Sequence, residues 1–178
     1  ILGDMGADVI CVEAPGGDSC RVIGVTAHSM LSGAALNLLR NKRNVCIDLK
    51  NPEGREALLD LAATCDVVVT NIRPGALRRL GLTYKDVRHV RPDIIYCEAH
   101  GFRLDSSRVD EPAYDDIIQA SSGIVDLFTR VSGSPALVPT ILADKVSGLS
   151  IAYAILGAIV HRLRTGQGQQ VEVPMHDV

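Results

Sequence analysis

Three parts of the chain place charged or hydrogen-bonding side chains beside predicted strands. They are RNKR at 40–43, NIRPG at 71–75, and PAYDD at 112–116 together with LADK at 142–145. Open α/β sheets bind ligands at the ends of their strands. Basic side chains there, next to the free amides of helix N-termini, suit a small molecule that carries phosphate groups. The alternative is that these basic clusters are simply solvated loops.

Other kinds of chemistry find little support in the sequence. The motifs GxGxxG after a strand, GxxxxGK[ST], HExxH and GxSxG are all absent. The five histidines are isolated, which is typical of surface or structural residues, and the five cysteines form no CxxC pair. We therefore expect no metal site and no Ser-His-Asp triad. Scattered, unpaired cysteines indicate reduced thiols and a cytoplasmic location.

The overall composition limits the possible partners. The chain has 178 residues, a formal net charge of −3 and 47% hydrophobic residues. Such a balanced charge provides no large positive field for a nucleic acid or an anionic lipid surface. The longest apolar run, Leu149 to Val160, is shorter than the roughly 20 residues of a membrane-spanning helix. We predict a soluble protein that binds neither nucleic acid nor membrane.

Strand-like and helix-like segments alternate along the chain. Predicted strands cover residues 8–13, 44–48, 66–70, 94–98 and 170–173, and predicted helices cover 52–63, 115–123 and a long segment from about Asp144 to Arg164. Asn51 and Pro52 suit the cap and first position of the first of these helices. Residues 101–111 are polar and predicted to form an exposed loop. Strands separated by helices indicate parallel pairing, so the predicted fold class is α/β.

Several longer blocks of the sequence resemble one family. They are LGDMGADVICVEAPGGD, RNKRNVCIDLKNPEG, DVVVTNIRPGALRRLGL, PAYDDIIQASSG, and ILADKVSG followed by TGQGQQVEVPM. In this order they resemble the family III CoA-transferases, which include formyl-CoA and carnitine CoA-transferases and 2-methylacyl-CoA racemases. The resemblance implies a Rossmann-like parallel sheet with flanking helices in an interlocked homodimer. Residues 1–178 would be a partial CoA-binding large domain without the family's first strand and small domain, truncated at both ends.

The resemblance implies that Asp144 is the nucleophile. A carboxylate at this position would attack an acyl-CoA thioester and form an aspartyl mixed anhydride, which CoA would convert to an aspartyl-CoA thioester. A position near the start of the long helix would favour the ionised carboxylate. The sequence alone favours a different interpretation, in which Asp144 only caps that helix.

The resemblance also implies where CoA binds. The matching residues are Arg21, Ile47, Lys50, Asn71, Ile72, Arg73, Arg79, Ala113 and Asp115. The arginines would pair with phosphates or stack on adenine, and Lys50 would contact phosphate. CoA and acyl-CoA would then be substrates together with a small carboxylic acid, and no tightly bound cofactor is expected.

Tyr114 bears on the type of reaction. The racemases of the family carry a histidine there that acts as an acid and base, whereas the transferases more often carry tyrosine. A phenol with a pKa near 10 is a poor base at neutral pH. The sequence therefore favours a CoA-transferase over a 2-methylacyl-CoA racemase. A third possibility is that this chain alone is a CoA-binding or dimerisation module without turnover.

Overall fold

The computed structural model describes residues 1–24, 26 and 28–178. The chain divides into two compact units, Ile1–Asp60 and Leu61–Val178, which are considered separately. In both units every pair of hydrogen-bonded strands runs parallel. The α/β fold class with parallel strands and flanking helices is confirmed.

The first unit is built on two parallel strands. Strand β1 is Val9–Glu13, helix α1 is Gly33–Leu38, and strand β2 is Lys42–Cys46. Their register runs from Val9 opposite Lys42 to Glu13 opposite Cys46. The prediction of 44–48 for the second strand is therefore two residues late. The partner strand sets this register, and Asp48 already belongs to a turn, where it accepts a hydrogen bond from the Lys50 amide at 3.0 Å.

Helix α2, Pro52–Ala63, has the predicted bounds and runs across the boundary between the units. Asn51 Oδ1 accepts a hydrogen bond from the Glu53 amide at 3.0 Å. This bond satisfies an amide at the helix start that has no partner within the helix. The predicted roles of Asn51 and Pro52 are therefore confirmed.

The second unit contains a three-stranded parallel sheet. Strand β3 is Val67–Thr70, helices α3 and α4 are Pro74–Leu80 and Tyr84–Val90, and strand β4 is Ile95–Glu98. After β4 come helices α5, α6 and α7, which are Asp115–Ser121, Ile124–Ser132 and Leu142–Thr165, and strand β5, Gln170–Glu172. The strand order is β3-β4-β5. All four residues of the central strand β4 are buried.

The helices of the second unit differ from the prediction in two places. Helix α5 ends at Ser121, before the predicted 123, because Gly123 adopts a φ of 90° and starts the unpredicted helix α6. Helix α7 begins at Leu142, so Asp144 lies inside its first turn. At its other end, Arg162 donates a hydrogen bond to Asp66 Oδ1 at 2.7 Å, which links the end of α7 to the start of β3.

Residues 101–111 are not uniformly exposed. Phe102 is buried in a core cluster with Ile118 and Ala143. The prediction of an exposed loop is wrong at its beginning, because one aromatic ring among polar residues is enough to anchor a segment in a core.

Helix α7 bears on the membrane prediction. Among the described residues it is the single helix that is long and apolar enough to cross a membrane by length and composition. The expectation that no segment is long enough is therefore wrong. One such helix is weak evidence of a membrane span, and 28% of the apolar stretch of α7 is buried within the chain.

Candidate active site

Two of the predicted site residues meet where helices α5 and α7 begin. The Asp144 amide donates a hydrogen bond to Asp115 Oδ1 at 3.1 Å across 29 residues of sequence. Asp115 is the first residue of α5, and Asp144 lies in the first turn of α7, whose cap position is Ile141. The interpretation of Asp144 as a helix cap is therefore wrong, and its exposed carboxylate remains available for chemistry.

The electrostatic surroundings of Asp144 make its carboxylate more basic. Desolvation by the surrounding protein raises the pKa of Asp144, and repulsion from the Asp115 carboxylate adds to this. The positive end of α7 acts in the opposite direction and favours the anion. A carboxylate with a raised pKa is a better nucleophile than an ordinary one, provided that it stays ionised.

Gln119 positions Asp115, and sequence analysis did not identify it. Its amide nitrogen donates to Asp115 Oδ2 at 2.6 Å and to the Thr140 carbonyl at 3.1 Å, while its oxygen accepts from the Val138 amide at 2.8 Å. Gln119 is almost completely buried. It ties α5 to the segment that leads into α7. The spacing of four residues from Asp115 on one helix was the available signal.

Ala113 and Tyr114 precede α5 and have different surroundings. Ala113 packs against the core cluster that contains Phe102. It also lies so close to Gly101 that a side chain at position 101 would collide with the Ala113 methyl group. Tyr114 occupies the cap position of α5, and 70% of its surface is exposed. The packing of Ala113 thus fixes the backbone next to Tyr114, whose side chain is exposed.

The turn predicted to bind CoA follows β3 directly. The Ile72 amide donates to Thr70 Oγ1 at 3.2 Å, and Arg73 Nη1 donates to the Asp110 carbonyl at 3.2 Å. Asp110 also accepts from the Gly75 amide through Oδ1 at 2.7 Å. This residue of the 101–111 segment was not identified from the sequence, although it holds the start of α3. Asn71 beside the turn is exposed, as is Arg79, which lies in the last turn of α3.

In the first unit, Arg21 is part of a bidentate ion pair. Its Nε donates to Glu13 Oε2 at 2.6 Å, and its Nη2 donates to Oε1. The hydrogen bond from Arg21 lowers the pKa of Glu13 to about 2. Ile47 meets the same residue through its amide, which donates to the Glu13 carbonyl at 2.9 Å. Lys50 is exposed in the turn that follows β2.

The basic segment 40–43 does not lie at the expected edge. Lys42 is the first residue of β2, so the segment lies at the amino end of the strand and not at its carboxyl end. Arg40 pairs with Asp4 at 2.6 Å, and Arg43 pairs with Asp8 at 2.5 Å. Arg40 and Arg43 each pair with a neighbouring carboxylate, and phosphate binding by this segment stays a prediction.

The described residues contain no cluster of three or more His, Cys, Asp or Glu side chains that could hold a metal ion. The predicted site residues of the second unit include the Asp115–Asp144 pair, the exposed Tyr114 and the turn after β3. An exposed carboxylate next to an acidic neighbour can support acyl transfer to the carboxylate.

Comparison with known proteins shows similarity to one family of CoA-transferases. The model of CoA-transferase family III matches residues 1–178. The succinate–glutarate CoA-transferase of Agrobacterium fabrum is 36% identical over 100% of this chain and 46% of its own length. The formyl-CoA:oxalate CoA-transferase of Afipia carboxidovorans is 35% identical over 99% of this chain and 42% of its own length.

Solved structures agree with these relatives. A CAIB/BAIF family protein from Brucella suis has a TM-score of 0.90 and 36% identity over 99% of this chain and 48% of its own. The chain thus spans about half the length of the relatives that it matches. The family model nonetheless matches all of residues 1–178 of this chain, and the parallel α/β architecture agrees with that match. The chain belongs to CoA-transferase family III.

Proposed function

We propose that the protein transfers CoA from an acyl-CoA donor to a carboxylic acid, with Asp144 as the covalent nucleophile. The observation that carries this proposal is the position of Asp144. Its exposed carboxylate lies in the first turn of α7, its amide is bonded to Asp115, and its pKa is raised by desolvation and by Asp115. Membership of CoA-transferase family III supports the same chemistry.

The first half of the reaction would load CoA onto the enzyme. An Asp144 oxygen attacks the thioester carbon of the donor, the carbon–sulfur bond breaks, and CoA leaves as a thiolate. The product is a mixed anhydride of Asp144 and the acyl group. The thiolate then attacks the Asp144 carbonyl, which releases the donor acid and leaves an aspartyl-CoA thioester.

The second half would reverse these steps with a different acid. The acceptor carboxylate attacks the aspartyl-CoA thioester and displaces the thiolate, which forms a second mixed anhydride. The thiolate then attacks the acyl carbon of that anhydride. This step yields the new acyl-CoA and restores the Asp144 carboxylate, so no bond energy is lost to hydrolysis and no proton is consumed.

The CoA contacts remain predictions and fall into two groups. Arg21, Ile47 and Lys50 belong to the first unit, and the group from the second unit comprises Asn71, Ile72, Arg73, Arg79, Ala113 and Asp115. Arg73 and Arg79 are exposed cations after the carboxyl end of β3, which supports a phosphate-binding role. We further propose an interlocked homodimer on the basis of the resemblance, and a cytoplasmic location on the basis of the five unpaired cysteines.

Chemical trapping tests the proposal. Wild-type protein is incubated with a panel of acyl-CoA donors, and hydroxylamine is added to convert an activated aspartyl group to a hydroxamate. Mass spectrometry should find the hydroxamate at Asp144. The Asp144→Asn variant should lose at least about a thousandfold in kcat. The matched variant Asp116→Asn, which makes the same charge change at an exposed residue of α5, should keep its activity.

Two results would contradict the proposal. One is a hydroxamate on another residue, and the other is an Asp144→Asn variant with wild-type turnover. The racemase alternative is tested in the same samples, because it predicts deuterium exchange at the α-carbon of a 2-methylacyl-CoA without any acceptor acid. The module alternative predicts CoA binding by calorimetry with neither adduct nor exchange.

A further inference from the structure

Helix α7, which carries the proposed nucleophile, begins without a capping side chain of its own. Its cap position is Ile141, whose side chain caps no amide among the residues that the structure describes. The first amides of a helix have no partner within the helix, so an acceptor from elsewhere has to satisfy them. For the Asp144 amide that acceptor is Asp115 Oδ1 at 3.1 Å, on helix α5. The first turn of α7 is therefore capped in part from another helix.

The Asp115 carboxylate is held in turn by Gln119, which lies one turn further along α5. The Gln119 amide nitrogen donates to Asp115 Oδ2 at 2.6 Å. The two carboxylate oxygens thus accept from different residues, Oδ1 from Asp144 and Oδ2 from Gln119. The torsion that turns a carboxylate about its own axis has only broad preferences. The bond from Gln119 therefore fixes the orientation in which Asp115 meets the start of α7.

Gln119 also bonds the backbone that leads into α7. Its nitrogen donates to the Thr140 carbonyl at 3.1 Å, and its oxygen accepts from the Val138 amide at 2.8 Å. The same Thr140 carbonyl accepts from the amide of Leu142, the first residue of α7, at 2.8 Å. One side chain therefore reaches the start of α7 by two routes, through Asp115 and through the backbone of residues 138–140.

Burial strengthens these contacts. Only 1% of Gln119 is exposed, so water competes little for its amide group. Hydrogen bonds are stronger at low dielectric, and a buried polar group that loses its partner costs stability. The neighbouring Ile118 packs with Ala143, the residue before Asp144, in the core cluster. Helix α5 thus fixes the backbone on which the nucleophile lies.

The position of that backbone matters for the proposed chemistry. The Asp144 side chain is exposed, so the first turn of α7 determines where its carboxylate lies. Acyl transfer requires the attacking oxygen to lie close to the thioester carbon. A misplacement of about 1 Å can cost on the order of a hundredfold in rate, even when its cause lies away from the reacting atoms.

We propose that Gln119 is a positioning residue for acyl transfer, because it orients Asp115 and thereby fixes the start of α7 that carries Asp144. This inference rests on the CoA-transferase function proposed above and adds a residue to its site. Gln119 acts through Asp115 and the 138–140 backbone and not on a substrate. Loss of its amide group should therefore slow the chemical steps in protein that is folded and still binds CoA.

The test compares Gln119→Met with Gln119→Asn in the full protein, well below the Tm of each variant. Methionine has a similar length but no amide group, whereas asparagine keeps the amide and withdraws it by about 1.5 Å, one carbon–carbon bond. At saturating substrates, kcat should fall about 10- to 100-fold in Gln119→Met, and calorimetric CoA affinity should stay within about twofold. The kcat of Gln119→Asn should lie between those of Gln119→Met and wild type.

The Asp115→Ala background tests whether Gln119 acts through Asp115. There the carboxylate that Gln119 holds is already gone, so Gln119→Met should lower kcat by less than about threefold. The matched control for stability is Ile155→Val, which removes one carbon from a buried residue further along α7. It should lower the Tm and keep the kcat of wild type.

Three results would overturn the proposal. One is wild-type kcat in Gln119→Met or, if that variant does not fold, in Gln119→Asn. Another is an equal loss of kcat from Gln119→Met in the wild-type and Asp115→Ala backgrounds. The third is a comparable loss of kcat in Ile155→Val, since lowered stability alone would then explain the effect. Absence of the Asp144 hydroxamate in wild-type protein would instead refute the CoA-transferase function itself.

Discussion

Substitution of Glu13 by glutamine should destabilise the protein substantially, although Glu13 belongs to none of the predicted sites. The Glu13 carboxylate is buried, with 6% of the residue exposed. It accepts two hydrogen bonds from Arg21 and one from the Asp18 amide at 2.8 Å. Glutamine can still accept from Asp18, but it removes the charge that Arg21 neutralises, so the variant isolates the ion pair.

The pKa of Glu13 sets the size of the effect. The hydrogen bond from Arg21 lowers the pKa of Glu13 from its ordinary 4.5 to about 2. That gap corresponds to about 3.4 kcal/mol of stability at neutral pH. The Arg21 side chain is 21% exposed, so solvent screening reduces the expected loss to about 2 kcal/mol. Because the folded-state pKa is lowered, this contribution is complete above about pH 4.5 and disappears as the pH falls through about 2.

Urea unfolding followed by far-UV circular dichroism measures the effect, since the chain contains no Trp for fluorescence. Glu13→Gln should lose about 2 kcal/mol at pH 7 and less than half of that at pH 3. The matched control is Glu111→Gln, whose side chain is 51% exposed and pairs with Arg108 at 2.8 Å. The control should change stability by less than about 0.5 kcal/mol. Equal effects of the two substitutions at pH 7 would refute the reasoning.

Two further predictions concern packing and thiol reactivity. Gly168→Ala should cost about 1–3 kcal/mol in urea unfolding, because a Cβ at this position would overlap the backbone at Ile94, whereas Gly157→Ala meets open space and should be neutral or stabilising. A comparable loss in both variants would contradict this. Burial raises the pKa of Cys97 to about 11, so a thiol reagent at pH 8 should label exposed Cys46 in the native protein and leave Cys97 unmodified until urea is added. Equal labelling rates would contradict this.

Elements with strong local signals were predictable. Helix α2 has the bounds expected from Asn51, Pro52 and the following apolar pattern, because capping and periodicity involve residues within one or two turns. The buried strand β4 was expected from its apolar run for the same reason. Strand β2 was misplaced by two residues, because its ends depend on the register with β1. Register is a property of two strands and cannot be determined from one of them.

Helix α6 was missed for a local reason, whereas the other failures depend on residues that are distant in the chain. Helix α6 was missed because its separation from α5 depends on a single glycine, Gly123, with a positive φ. Segment 101–111 was predicted to be exposed, although Phe102 reaches the core formed by α5 and α7. In the basic segment at 40–43, Arg40 and Arg43 are paired with Asp4 and Asp8, which lie more than 30 residues away in the sequence.

For the candidate site as well, some residues were identified from the sequence and some contacts were visible only in the structure. Resemblance to a family identified Asp144, Tyr114 and Asp115 by residue type and order. It could not indicate that Gln119 orients Asp115, that Asp110 holds the start of α3, or that His100 is buried without partners. The Asp110 contact with Gly75 and the bonds from Gln119 to Val138 and Thr140 join residues that are 19 or more positions apart in the chain.

The sequence by itself determined the parallel α/β class, the family and the residue types available for acyl transfer, because periodicity, capping and motif order are carried by neighbouring residues. Only the tertiary structure decided which groups meet and how far each of them is desolvated. Desolvation and repulsion from Asp115, 29 residues away, raise the pKa of Asp144. Packing of β4 between its two neighbours leaves His100 buried. Desolvation and charge repulsion depend on distances in space, which the order of residues does not specify.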